Sequence, residues 1–245
     1  MNLCHDITST TLKDSGIDGY LICDECGTYV SNAYKDPAVL YLASYWEHAS
    51  GHSTLEEQVH NVDVHTENGK TKNQFVLDLI DCDRSKLCVE VACAPGVLLG
   101  RLKNDAGFKD VIGIEYDPAI SKTIDKLSGG VCRVIYGGFP WVTQQHVDRG
   151  SVSLVVGLDV FEHSLAPSEF FNECGRMLCS GGQLILMMPI KLPGREIPPR
   201  FFSKEEHVQI PTMRYLDILS ENALMCVTRV LSWAPGHEVI VAKRL

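Results

Sequence analysis

Past residue 65 the chain alternates apolar runs of strand length with segments whose apolar residues recur at helical spacing, and nothing else in it restricts the fold as much. Leu87 to Val91, Val111 to Glu115, Val131 to Tyr136, Ser153 to Asp159 and Gln183 to Met188 read as buried strands. Helices are expected from Lys72 to Ile80, over Val97, Leu98 and Leu102, over Ile120, Ile124 and Leu127, and from Pro167 to Cys179. Pro167 suits a first helical turn and Gly181-Gly182 a stop. Such alternation implies a parallel sheet covered by helices, with ligands bound beyond the carboxyl ends of the strands. The ending differs. After a helix from Thr212 to Asn222, the strands Cys226 to Trp233 and Glu238 to Lys243 are separated only by Ala234-Pro235-Gly236-His237, which permits an antiparallel pair but no parallel crossover.

Before residue 65, aromatics, histidines and short polar stretches mix without a sheet pattern, so a cap over residues 1–65 is expected ahead of a main domain over 66–245. A net charge of −9 with no basic stripe argues against a nucleic-acid partner and suits a small cationic or neutral ligand. The start, MNLCHDITST, lacks the basic residues and apolar stretch of a secretory signal. No apolar run approaches the ~18 residues of a membrane span. A cytoplasmic protein with no membrane partner is therefore expected, and its ten cysteines are expected to be thiols, core residues or metal ligands. Cys88, Cys132 and Cys226 lie in apolar runs and are expected to be buried.

Several stretches carry chemistry. VEVACAPG places an acidic residue before a turn that retains one glycine, VIGIEYDP ends a strand in a second acidic residue, and GLDVFEHS ends another in Asp159, Glu162 and His163. FFNECGRMLCSGGQLILMMP and GHEVIVAKRL complete the series. In this order and spacing, over roughly residues 70–245, they resemble the class I S-adenosylmethionine-dependent methyltransferases. The resemblance implies an α/β fold, a Rossmann-like doubly wound sheet of seven strands, mostly parallel with an antiparallel C-terminal hairpin, behind a small N-terminal cap. It implies S-adenosylmethionine as cofactor and a small-molecule acceptor, for instance a sugar derivative or secondary metabolite. A degenerate, non-catalytic binding module is the alternative. A nicotinamide-dependent oxidoreductase is disfavoured because no G-x-G-x-x-G occurs and the chain closes with the hairpin.

In the family's pattern Glu90 reaches the cofactor's amino group through a charge-assisted hydrogen bond. Ala92, Cys93, Ala94 and Gly96 form the turn around the methionine moiety, with two of the three usual glycines replaced by alanine. An alanine held left-handed costs about 1–2 kcal/mol. Glu115 takes the ribose hydroxyls, with Tyr116 beside it. Gly138 and Phe139 stand where the family often has an acidic residue for adenine; Phe139 stacks on the base or packs in the core. Asp159 is assigned to the cofactor site. Methyl transfer from a sulfonium is an in-line displacement, so a base is needed only when the acceptor carries a proton. His163 is the candidate base or, alternatively, a helix-start histidine bonded to the backbone. His207, in HVQIPT, is similar to the family's H-x-x-x-x-T stretch and is the second residue expected to face the acceptor.

Residues 4–30 resemble the zinc-knuckle segment that precedes the catalytic domain in some bacterial methyltransferases. Cys23-Asp24-Glu25-Cys26-Gly27 fits its second half, while Cys4 stands alone beside His5. The resemblance implies a structural zinc on Cys4, Cys23, Cys26 and a histidine, or a knuckle that has lost its metal. Tyr41, Tyr45 and Trp46 belong to a lid helix or to the core.

Overall fold

The computed structural model describes residues 12–35 and 59–245, with Leu40 and Glu57 as isolated positions. Cys4, His5, Tyr41, Tyr45 and Trp46 lie outside the described residues. Three short strands come first: β1 (Leu12–Asp14), β2 (Tyr20–Cys23) and β3 (Tyr29–Ser31). A small hairpin follows, β4 (Thr66–Glu67) and β5 (Lys70–Thr71). Its turn is Asn68-Gly69, with φ of 51° and 77°, the left-handed pair that an Asn-Gly sequence favours. Thr71 then caps helix α1 (Lys72–Leu77), its hydroxyl accepting from the Gln74 N–H at 3.1 Å.

The alternation continues with β6 (Leu87–Val91), α2 (Val97–Asn104), β7 (Asp110–Glu115), α3 (Ser121–Ser128), β8 (Arg133–Tyr136), β9 (Val152–Leu158), α4 (Pro167–Met177) and β10 (Leu178–Pro189). The end of the chain adds β11 (Gln209–Ile210), α5 (Met213–Asn222), β12 (Met225–Ala234) and β13 (His237–Arg244). The main sheet has seven strands in the order β12-β13-β10-β9-β6-β7-β8, and β13 alone runs against the others. This is the expected Rossmann-like sheet with its antiparallel hairpin.

Period-two geometry explains the unbroken apolar runs. Leu184, Leu186 and Met188 of β10 join one core with Phe170, Phe171 and Met177 of α4 and Leu216 of α5. Ile185 and Met187 face the other way, into a second core with Leu99 and Leu102 of α2 and Ile124 of α3. The strand is therefore buried on both faces.

Three details depart from the sequence reading. Helix α1 stops at Leu77 rather than Ile80. β10 begins at Leu178, so Gly181-Gly182 falls inside the strand, where the pairing jumps from Leu178 with Val152 to Gln183 with Leu154. Of the three cysteines expected to be buried, Cys88 is, Cys132 is half-buried and Cys226 is exposed, because it sits on the edge strand β12. A fourth finding concerns the N-terminal segment, where no sheet pattern was legible. There β1, β2 and β3 form a sheet completed by β11, as Gln209 pairs with Val30 and Ile210 with Tyr29. Among the described residues no helix is long and apolar enough to cross a membrane.

Candidate active site

The strand order reverses between β6 and β9, and a cavity of about 920 Å³ opens beyond the carboxyl ends of the strands there. Glu90, Ala92, Cys93, Ala94, Glu115, Tyr116, Gly138, Phe139, Asp159, His163 and His207 all line it. Gly96 does not line it but begins α2, with φ 97°. A Cβ there would lie 2.9 Å from the backbone of Ile124, so glycine is required by conformation and by space.

The turn after β6 adopts the strain its sequence predicts: Ala92 has φ 55°. That conformation costs an alanine about 1–2 kcal/mol and is held here by the neighbouring contacts. The Cys93 N–H donates to Ile114 O at 3.1 Å and the Gly96 N–H to Cys93 O at 2.7 Å. Gly113 of β7 allows the turn to lie close, since a Cβ there would be 2.5 Å from Cys93 Sγ.

Glu90 and Glu115 end adjacent strands. Glu115 accepts backbone N–H groups from Ala94 at 3.2 Å, Tyr116 at 2.7 Å and Asp117 at 3.1 Å. Burial raises its carboxyl above the usual range, and those three donors oppose the rise. Glu90 has no such support. Its Oε2 is buried without a hydrogen-bond partner, and burial followed by the charge of Glu115 pushes its carboxyl well above the ordinary value. A cation delivered into the cavity would satisfy it.

Asp159, in the left-handed region with φ 51°, holds a different network. Its Oδ2 accepts from Lys72 Nζ at 2.5 Å, and its Oδ1 lies 2.5 Å from His237 Nε2. Burial would raise this carboxyl, but Lys72 and His237 hold it well below the carboxylate range. Lys72 is almost fully buried and also stands over the Trp233 ring, 5.4 Å from its centroid. The Trp233 Nε1–H donates to Lys70 O at 3.2 Å, which ties the β4–β5 hairpin to the C-terminal pair. Lys72, Trp233 and His237 all line the cavity, and the sequence reading missed them. The Asn68-Gly69 turn was the one signal for the hairpin that delivers Lys72. His237 was visible only as a residue of a short connection.

His163 and His207 stand edge to face, with ring centroids 4.9 Å apart. His163 Nδ1 lies 2.8 Å from Glu206 O and His207 Nδ1 lies 2.7 Å from Phe201 O. Burial, reinforced by His207, depresses His163 to about 3, and burial also lowers His207. The two readings of His163 are thus compatible: its ring is bonded to backbone and also lines the cavity. Beside it Glu162 is 1% exposed with Oε2 unpartnered, and burial followed by the Asp159 charge raises its carboxyl. Phe139 packs its ring against Phe170 at 4.7 Å while also bordering the cavity.

The segment bearing His207 is fastened to the N-terminal strands. Tyr20 Oη donates to His207 O at 3.0 Å, Ser31 Oγ to Lys204 O at 2.5 Å, and Thr212 Oγ1 to Cys26 O at 2.7 Å. Cys23 and Cys26 are buried in this corner, and Cys26 Sγ lies 3.2 Å from Thr28 Oγ1. Among the described residues neither cysteine belongs to a group of three clustered metal-ligand side chains.

Residues 89–186 match the methyltransferase domain family. No curated protein sequence matches the chain. Among solved structures, a geranyl diphosphate C-methyltransferase from Streptomyces coelicolor A3(2), in complex with Mg2+, geranyl diphosphate and S-adenosyl-L-homocysteine, is similar at 14% identity and TM-score 0.59, over 71% of this chain and 78% of that one. A SAM-dependent methyltransferase from Aquifex aeolicus is similar at 15% identity and TM-score 0.56, over 77% and 93% of the two chains. A structure of the Haloferax volcanii Trm112 methyltransferase activator with a methyltransferase matches at 14% identity and TM-score 0.58, over 69% and 86%. The stretch that matches the methyltransferase domain family contains the acidic residues Glu90 and Glu115 of β6 and β7, and the solved methyltransferase structures share the fold of this chain.

Proposed function

We propose that this chain transfers the methyl group of S-adenosylmethionine to a small molecule held in the same cavity, a sugar derivative or secondary metabolite being the acceptor class. The observation that carries the reading is the buried, unpartnered Glu90 carboxyl facing the cavity one strand from Glu115. An ammonium satisfies Glu90, and ribose hydroxyls can add to the lone pairs of Glu115 that the backbone leaves open. When bound, the cofactor supplies an electrophilic sulfonium methyl.

Every other task falls to the protein. The Ala92–Gly96 turn shapes the wall around the methionine moiety, and Tyr116, Gly138 and Phe139 border the adenine. Lys72 and His237 fix Asp159 at the end of β9, so the carboxylate serves the cavity as an oriented acceptor. His163 and His207, neutral at neutral pH, present ring nitrogens that accept a hydrogen bond from an acceptor hydroxyl and orient it for in-line attack. A cavity of about 920 Å³ supports a small acceptor, because ligand pockets run roughly 300–1,000 Å³ and the cofactor fills much of it.

We also propose that residues 1–65 act as a cap on the acceptor side, and that Cys23 and Cys26, with Cys4, hold a structural zinc. Zinc analysis of the protein with and without Cys23→Ser tests the latter. The principal test is calorimetric titration with S-adenosylhomocysteine. One-site binding by the wild type that Glu90→Gln weakens at least tenfold supports the reading. A folded protein that binds neither cofactor nor product at millimolar concentration overturns it in favour of a non-catalytic module.

A further inference from the structure

Glu162, His163 and His207 are more than acceptor-facing side chains. One ligand atom from each lies within 4.8 Å of the others, and these are the only three metal-ligand side chains so clustered among the described residues. Two ligands on opposite sides of an ion with bonds near 2.1 Å are about 4 Å apart, so slight rotation of the side chains closes the set.

The hydrogen bonds behind the two rings point the same way. A carbonyl oxygen only accepts, so the contacts of both Nδ1 atoms, to Glu206 O and Phe201 O, require the hydrogen on Nδ1. Both Nε2 atoms therefore carry the lone pair. Metal-binding histidines are oriented in this way, their second nitrogen donating to a carbonyl or carboxylate. An independent observation concerns the third member: Glu162 is buried with Oε2 unpartnered, and it lines the cavity. A buried carboxylate oxygen without a hydrogen-bond partner calls for a cation or a donor.

We propose that Glu162, His163 and His207 bind one divalent first-row transition ion at the acceptor end of the cavity. Two imidazoles and one carboxylate suit Zn2+, Fe2+ or Co2+ better than Mg2+ or Ca2+, which take mainly oxygen ligands. Three protein ligands leave coordination positions open towards the cavity, where a hydroxyl, carboxylate or enolate oxygen of the acceptor fits. With the ion bound the Nε2 lone pairs go to the metal, which replaces the hydrogen bonds the two rings otherwise offer an acceptor hydroxyl; the ion would select oxygen-bearing acceptors and lower the pKa of a bound hydroxyl, work that neutral histidines do poorly. The site belongs to the cavity of the methyl-transfer reading but does not depend on the cofactor.

Cobalt(II) titrated into the full chain and followed by visible absorption is the direct test. One saturable d–d spectrum without a near-ultraviolet sulfur-to-metal band is expected from the Cys23→Ser chain, in which the proposed thiolate site is broken, and zinc(II) should bleach it. Glu162→Gln keeps the shape and removes the anionic ligand, so cobalt affinity should fall at least tenfold with an unchanged circular dichroism spectrum. If that variant does not fold, His207→Gln carries the same expectation. A cobalt spectrum that survives both substitutions, one that shows thiolate ligation alone, or no binding by the folded chain overturns the site. Titration with S-adenosylhomocysteine in parallel keeps the two proposals apart: product binding without a cobalt site removes this one alone, and a cobalt site without product binding removes the methyl-transfer reading alone.

Discussion

Asp159 Oδ1 and His237 Nε2 lie 2.5 Å apart, joining the end of β9 to the first residue of β13 across the intervening β10. With Lys72 on its other oxygen, Asp159 is the hinge point of three elements that meet only in the folded chain. Asp159→Asn is expected to destabilise the protein by about 2 kcal/mol, mainly by leaving Lys72 buried without an anion. Its folded-state pKa is depressed, so the wild-type residue contributes stability above its unfolded value near ~3.9 and loses that contribution as pH falls below it. The gap in melting temperature between wild type and variant should be widest near neutrality and narrow below about pH 4. A gap that stays constant down to pH 3 would argue against the network.

Glu90 is expected to link cofactor binding to pH. Its carboxyl is held protonated above the ordinary range, whereas an ammonium favours the ionised form. Binding of S-adenosylhomocysteine should therefore release a proton and tighten as pH rises towards that raised value. Calorimetry in two buffers of different ionisation enthalpy measures the release directly. Glu90→Gln should release none.

The alanine turn invites a paired test. Ala92→Gly removes a strained φ of 55° but adds freedom to the unfolded chain, so its effect on the melting temperature should be small and its effect on product affinity neutral or favourable. Gly96→Ala must place a Cβ 2.9 Å from the Ile124 backbone at φ 97°, and should cost more than about 2 kcal/mol. Thermal melts of both variants decide whether the turn is limited by its alanines or by its one glycine.

Tyr20→Phe deletes the hydroxyl that bonds His207 O at 3.0 Å and should cost about 1 kcal/mol. Its more specific signature is faster amide exchange confined to the segment around His207 and β11. Exchange that is unchanged there, or raised equally across the main sheet, would mean that the N-terminal strands do not steady this wall.

Strands β6, β7, β9, β10 and β13 were legible because each is an apolar run buried on both faces, and the acidic residues Glu90 and Glu115 were legible with them, while the edge strands β8 and β12 showed through their apolar residues although they are buried only in part. Their doubly wound arrangement came only with the family resemblance, and their order in the sheet only with the structure. The partners of Asp159 were not legible: Lys72 is 87 residues away in sequence and His237 is 78, and no local period encodes a meeting between a hairpin, a strand end and a closing turn. Strand β11 was hidden for another reason. Two residues are too few to show alternation, and its partner β3 lies in a stretch without a pattern. The pairing of His163 with His207 fell between these cases, since both residues were singled out separately but nothing in the sequence placed their rings side by side.

Because β11 belongs to the sheet of the N-terminal strands and not to the main one, the cavity has two owners. Strands β6 and β7 own the end where a nucleoside would rest, while the wall bearing His207 is stitched to residues 12–35. For protein engineering this makes the His207 wall portable. Residues 12–35 exchanged together with 203–212 form one transplantable patch, and swapping either stretch alone would break the seam that holds the other in place.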